Sequence, residues 1–315
     1  MTTLTVRDLV KVYRVRNGLS HRRLRAVNGV SFTLTPGRTV ALVGESGSGK
    51  STVAKMIARL EKPTAGAITA TGPDGTPVPD RHYRDHVQMV FQDPFASLNP
   101  FHTIEHHLTR PLKLHGRART RREAREKAEQ LLERVNLTPA RAMAARRPHE
   151  LSGGQRQRVA IARALAPGAQ VVIADEPVSM LDVSIRLGVL NLLARLQRED
   201  RLAVLYITHD LATARHFSDE ILVMYRGRVV ERGPSDDVIL TPRHPYTQLL
   251  AAAAPNPEQR GRSLAGDPVA VPPGYLELTY DHEAGTWLGP GGEPAADPGG
   301  LPSRTGSRAA PEPPA

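Results

Sequence analysis

The sequence predicts an α/β protein built on a mostly parallel sheet. Three observations carry that prediction. Residues 40–43, 171–174 and 203–208 are continuous apolar runs of strand length, as strands covered on both faces require. Helical patterns separate the runs, the alternation that sets strands side by side in parallel. A glycine-rich turn follows the first run directly and opens a helix.

Taken in order, residues 2–7 and 30–35 alternate apolar and polar, the pattern of half-exposed strands. Residues 39–43 then form a buried strand, and residues 52–60, beginning with Thr52, read as a helix. Between them stands Gly44-Glu45-Ser46-Gly47-Ser48-Gly49-Lys50-Ser51, a G-x-x-x-x-G-K-[ST] phosphate loop in its confirming strand–loop–helix context. Its glycines let successive backbone N–H groups turn into one concavity, and the helix N-terminus adds partial positive charge. Lys50 reaches the β- and γ-phosphates in this motif, and the Ser51 hydroxyl holds Mg²⁺. The expected ligand is therefore a nucleoside triphosphate.

From about residue 93 to residue 166 the pattern turns helical, an expected insertion in the α/β unit. Residues 117–135 carry pairs such as Glu123 and Lys127 four apart, and an apolar stripe of Ala124, Ala128, Leu131, Leu132 and Val135. The insertion closes on Leu151-Ser152-Gly153-Gly154-Gln155, small residues at the start of an apolar-periodic helix and thus a second anion site with Ser152 as a side-chain donor. The run 171–174 delivers Asp175 and Glu176 at its C-terminal end, where α/β sheets place ligands. Strand alternation aims the two carboxylates apart, so one can serve a metal and the other face an attacking water. His209 ends the run 203–208 on the same rim, and Gln92 closes the run 87–91. Residues 221–225 and 228–231, around Arg226-Gly227, read as a hairpin. After the short segment 241–254, the chain from about Asp281 is rich in Gly, Pro and Ala, and a disordered tail over 281–315 is expected.

Bulk properties narrow the class. Lys and Arg number 42 against 32 Asp and Glu, a formal charge of +10 that suits phosphates, anionic headgroups or nucleic acid. Aromatics are only 4%, and no RNA-reading aromatic pattern is visible. The absence of cysteine excludes disulfides, thiolate zinc sites and cysteine-held iron–sulfur clusters. No apolar run approaches the ~18 residues of a membrane span, and no signal peptide is expected.

The phosphate loop, Gln92, residues 151–155, the Asp175–Glu176 strand end and His209, in this order, resemble the nucleotide-binding subunit of ABC transporters over roughly residues 3–255. Ser179-Met180-Leu181-Asp182 resembles that family's D-loop, and Tyr13 stands where the family puts an aromatic against adenine. Phe91-Gln92-Asp93-Pro94, Arg243-His244-Pro245-Tyr246-Thr247 and the insertion 16–25 are similar to the oligopeptide/dipeptide importer branch. Two departures stand out. The C-terminal cysteine cluster of many members is absent, and Met180 replaces a small D-loop residue.

The resemblance implies a P-loop NTPase of RecA-like fold, with an antiparallel β subdomain and an inserted helical subdomain at about 93–166. It implies an ATPase domain over 1–240 and a transporter-type extension over 241–280. Two such domains pair head to tail, with ATP between residues 44–52 of one and Ser152, Gly153, Gly154, Gln155 and Asp182 of the other. Lys50 binds the phosphates, Ser51, Gln92 and Asp175 form the Mg²⁺ site, Glu176 is the general base, and His209 orients the γ-phosphate and water. Expected partners are two membrane permease subunits, a second ATPase subunit and an extracytoplasmic solute-binding protein, at the cytoplasmic face of the cell membrane and without nucleic acid. The alternative is a non-transport ABC ATPase acting on ribosomes or nucleic acid. Such proteins usually carry two cassettes or a long coiled coil, and this chain shows one cassette.

Overall fold

A computed structural model describes residues 1–17, 20–253, 273–296 and 298. The chain begins with β1 (Thr3–Asn17) and β2 (Ser20–Leu34), followed by β3 (Thr39–Val43), β4 (Ala65–Thr71), β5 (Val87–Val90), β6 (Val171–Asp175) and β7 (Ala203–Thr208). It continues with β8 (Glu220–Tyr225), β9 (Arg228–Pro234), β10 (Thr279–Asp281), β11 (Thr286–Leu288) and β12 (Pro294–Ala295). Among the described residues, nine strands make one sheet in the order β12-β11-β10-β9-β8-β3-β7-β6-β5. Neighbours from β8 to β5 pair in parallel, and β9 returns antiparallel on β8. A separate antiparallel sheet has the order β2-β1-β4. The expected α/β class with a mostly parallel sheet is borne out.

Burial on both faces explains why the central strands are continuous apolar runs. Ala41 and Val43 of β3, Val172 and Ala174 of β6, and Val204 and Tyr206 of β7 belong to the core on one face. Val40 and Leu42, Val171 and Ile173, and Leu205 and Ile207 belong to the core on the other. The period-2 alternation thus divides each strand between two hydrophobic layers.

Helices Ile104–Leu114, Arg121–Arg134 and Gly153–Leu165 occupy the stretch after β5 and share the first core layer with β6 and β7. The charged stretch starts its helix at Arg121, four residues later than the pattern suggests. The Thr120 hydroxyl there accepts the Glu123 N–H at 3.1 Å and caps the first turn.

Two expectations need correction. The insertion 16–25 is no separate element: β1 and β2 run on as one hairpin, with Arg14 opposite Arg23 and Asn17 opposite Ser20. The expected disordered tail over 281–315 is structured in its first part. Asp281 pairs with Arg232 of β9, β11 returns on β10, and β12 on β11. Three aromatic rings explain this despite the Gly and Pro content. Trp287 packs against Tyr275 at 5.3 Å and Tyr280 at 5.1 Å, and His244 lies 6.1 Å away. The parts of the expected extension and tail at 254–272 and 299–315 lie outside the described residues.

Candidate nucleotide site

The loop after β3 forms a cradle because two of its glycines cannot be replaced without collision. Gly44 (φ 150°) lies against the Met224 carbonyl and Gly49 (φ 108°) against the Ala26 carbonyl, so a Cβ at either would strike backbone oxygen. The turn is also tied to its neighbours, with the Gly227 N–H donating to the Ser48 carbonyl at 2.9 Å. The helix Lys50–Ile57 starts inside the cradle. Among the described residues, the N–H groups of Gly47, Gly49, Lys50 and Ser51 have no protein acceptor. Four free amides at a helix start form an anion site. Ser46 and Glu45 are exposed on its outer side, while Thr52 donates its N–H to the Gly49 carbonyl at 3.0 Å.

Lys50 is buried. Its Nζ donates to the carbonyls of Gly44 (2.7 Å) and Glu45 (2.8 Å). Burial holds its pKa below the ordinary lysine value, against the raising pull of Glu176, Asp175 and Glu45. The Ser51 hydroxyl donates to Asp175 at 3.2 Å. Burial pushes the Asp175 carboxyl up, the Ser51 hydrogen bond lowers it, and the neighbouring Glu176 charge raises it again. A desolvated carboxylate beside a hydroxyl is a hard-oxygen pair that suits Mg²⁺, an ion that takes few protein ligands alongside phosphate oxygens. The described residues contain no cluster of three His, Cys, Asp or Glu that would compete as an all-protein metal cage.

Asp175 and Glu176 leave β6 in different directions because the backbone turns at Glu176, whose φ is 43°. A left-handed glutamate costs about 1–3 kcal/mol, the kind of strain that collects at functional sites. The turn is fixed by the Glu176 N–H donating to the Ile207 carbonyl on β7 at 3.0 Å. Gln92 Nε2 donates to Glu176 Oε2 at 3.2 Å, and His209 Nδ1 lies 3.3 Å from the same oxygen. Strand ends β5, β6 and β7 thus bring Gln92, Glu176 and His209 together.

Profiles of two families match this chain: "ABC transporter" over residues 27–179 and "Oligopeptide/dipeptide transporter, C-terminal region" over residues 230–276. The Di/tripeptide transport ATP-binding protein DppF of Pseudomonas aeruginosa (strain UCBPP-PA14) is 48% identical over 259 residues, covering 81% of this chain and 79% of that protein. This chain belongs to the ATP-binding subunits of ABC transporters. The Oligopeptide transport ATP-binding protein AppF of Bacillus subtilis (strain 168) is 47% identical over 267 residues, covering 82% of the chain and 80% of its own length. Among solved structures, the dimeric ATP-binding cassette MJ0796 bound to ADP and Pi superposes with a TM-score of 0.62 at 32% identity, covering 74% of this chain and 98% of that one. The ABC subunit described here is accordingly an ATPase.

Other motif residues of the ABC subunit lie apart from the cradle. Ser152 caps its own helix. Its hydroxyl accepts the Gln155 N–H at 3.3 Å while Gln155 Oε1 accepts the Ser152 N–H at 3.0 Å. Gly153 and Gly154 pack toward Leu181 and Ile185. Among the described residues, no hydrogen bond joins residues 152–155 to residues 44–51. Asp182 is exposed at the start of the helix Val183–Asp200, beside Met180 and Val183, which are 57% and 78% exposed. Tyr13 sits on β1 opposite Leu24, with Lys11 Nζ 4.9 Å from its ring centre.

One contact has no counterpart in the motif pattern. The Glu45 N–H donates to the Tyr246 hydroxyl at 2.9 Å, across 201 residues of sequence. The run 243–247 is visible in the sequence as a branch signature, yet its spacing says nothing of where the ring goes.

Proposed function

We propose that this ATPase is one of two such subunits powering import of peptides or comparable small solutes. It docks on two membrane-spanning permease subunits at the cytoplasmic face of the cell membrane, and an extracytoplasmic solute-binding protein completes the system. Among the described residues no helix is long and apolar enough to cross a membrane, so the permeases supply the spans. The observation that carries the catalytic reading is Glu176, strained in its backbone and held between Gln92 and His209 beside the phosphate cradle.

The chain's residues divide the work. The free amides of Gly47, Gly49, Lys50 and Ser51 take the phosphate oxygens of ATP, and Lys50 exchanges its two carbonyl acceptors for stronger, anionic ones. Ser51, Asp175 and Gln92 would hold Mg²⁺, which when bound supplies neutralising charge on the phosphates. Glu176 accepts a proton from water as the water oxygen bonds to the γ-phosphorus. The bond from that phosphorus to the β,γ-bridging oxygen breaks, its electron pair leaves with ADP, and the proton passes to the released phosphate. His209 and Gln92 keep the carboxylate aimed.

The second half of each site comes from a second cassette, a related chain or another copy. Two observations support this. Ser152 is exposed and, among the described residues, hydrogen-bonds only within its own helix turn, and Met180, Val183 and Leu187 present an exposed apolar surface around Asp182. The match of residues 230–276 to the transporter C-terminal region favours import over a role on ribosomes or nucleic acid.

The natural chain has no cysteine, which makes the test direct. Ser46→Cys and Ser152→Cys are placed on separate copies in the Glu176→Gln background and exposed to oxidant. With Mg-ATP a disulfide between the two polypeptides is expected, together with co-purification of permease subunits from membranes. A chain that stays monomeric with Mg-ATP both by itself and when co-expressed with a related ATPase subunit, or never brings permeases down, overturns the reading.

A further inference from the structure

The C-terminal segment reaches the phosphate loop through a continuous set of buried contacts. Glu231 of β9 is fully buried and accepts the backbone N–H groups of Arg243 (2.8 Å) and His244 (2.9 Å). His282, in the turn between β10 and β11, lies 2.6 Å from the same carboxylate. His244, also fully buried, accepts the Tyr246 N–H on Nδ1 at 3.1 Å and so carries its proton on Nε2, which donates to the Tyr275 carbonyl at 3.0 Å. Tyr246 is thereby fixed at the start of the helix Pro245–Ala253, its ring tilted on Tyr225 with centres 4.3 Å apart. Its hydroxyl ends against Glu45. Burial pushes that hydroxyl up to about 12, so it stays neutral and able to accept at ordinary pH.

The Gly44 carbonyl and the Glu45 N–H belong to one planar peptide group and point opposite ways. Lys50 holds the carbonyl at 2.7 Å, and Tyr246 holds the N–H at 2.9 Å. The peptide cannot rotate without losing both. We infer that Tyr246 is a positioning residue for the nucleotide: its hydroxyl fixes the first peptide of the phosphate loop, so the amides of Gly47, Gly49, Lys50 and Ser51 are preset for phosphate. The inference rests on the nucleotide reading of the loop. It assigns the C-terminal extension a direct part in the ATP site.

The test uses the full-length chain with Tyr246→Phe, which removes one oxygen and keeps the ring on Tyr225. The hydroxyl contributes one neutral hydrogen bond that restrains the nucleotide-free loop, and its loss should cost roughly fivefold in affinity. Mg-ATP dissociation constants from calorimetry, and KM in the permease-bound complex, should rise about three- to tenfold. kcat should stay within about twofold, because bound triphosphate itself orders the loop. Hydrogen exchange at the Glu45 amide should accelerate while the thermal midpoint barely moves. Thr247→Val is the control, since the neighbouring Thr247 hydroxyl is buried and, among the described residues, has no hydrogen-bond partner. It should leave affinity and Glu45 exchange unchanged. Unchanged affinity and exchange in Tyr246→Phe overturn the inference, as does an equal rise in Thr247→Val. If Lys50→Ala binds Mg-ATP normally, the nucleotide reading has itself failed and this inference with it. If Lys50→Ala loses binding while Tyr246→Phe is unaffected, only the role of Tyr246 falls.

Discussion

Glu176 and His209 meet at 3.3 Å across the ends of two adjacent parallel strands, and Gln92 reaches the same carboxylate oxygen at 3.2 Å. Both side chains converge on one carboxylate and neither belongs to the phosphate loop, so removing the carboxylate's basicity should spare binding and remove chemistry. Glu176→Gln keeps the shape and the hydrogen-bonding reach. It is expected to bind Mg-ATP within about threefold of the wild type and to lower hydrolysis about 10²–10⁴-fold. Phosphate release measured alongside equilibrium binding separates the two effects.

Lys50→Ala acts on the opposite term. The ammonium is buried and already faces the cradle, so a charge-assisted contact of about 1.5–3 kcal/mol is lost. Nucleotide affinity should fall roughly ten- to a hundredfold, read by calorimetric titration with Mg-ATP.

Gly49→Ala tests the cradle's geometry and not its charge. The new Cβ would collide with the Ala26 carbonyl oxygen at a backbone angle that side chains avoid. Stability should drop by about 1–3 kcal/mol in denaturant unfolding, with nucleotide binding lost in parallel. Gly47→Ala, where nothing lies within 4 Å of the added methyl, should cost less stability despite its positive φ.

The buried imidazole of His244 makes stability depend on pH. Burial, the largest influence, holds its pKa below the ordinary 6.5, while the Tyr275 carbonyl and the Glu231 charge pull it partly back up. The folded protein therefore takes up this proton less readily than the unfolded chain. The stabilisation is fully present above about pH 6.5 and is lost as pH falls through the lowered folded value. His86 and His107 are shifted in the same direction, chiefly by burial, and add to the slope. The thermal midpoint should fall between pH 7 and pH 5.5, and His244→Gln should flatten that fall. A slope identical in the two proteins would remove His244 from the account.

Much of this arrangement could be read from residues alone, for identifiable reasons. β3, β6 and β7 lie between two hydrophobic layers, so their composition has no polar interruptions to mislead. Gly44 and Gly49 are required by backbone contacts, and they mark the loop as strongly as its charge does. The β1–β2 hairpin is hard to read from residues because 14–16 and 22–25 are exposed and arginine-rich, a pattern that reads as an insertion instead of a strand pair. The C-terminal strands were hidden by glycine and proline around a few aromatic residues that do the packing. Tyr246 carries no signal of its reach, because its partner is a backbone amide and any residue at position 45 other than proline would offer one.

The last strands also close a boundary. Tyr280 and Asp281 pair alongside Glu231 and Arg232, on the side of β9 that β8 leaves open. A version truncated after residue 253 would strip His282 from an interior acid, deprive His244 of its acceptor carbonyl, and bare unpaired main-chain groups ready to recruit foreign strands. Such a shortened fragment should clump on expression, so any trimming for crystallisation belongs beyond residue 296.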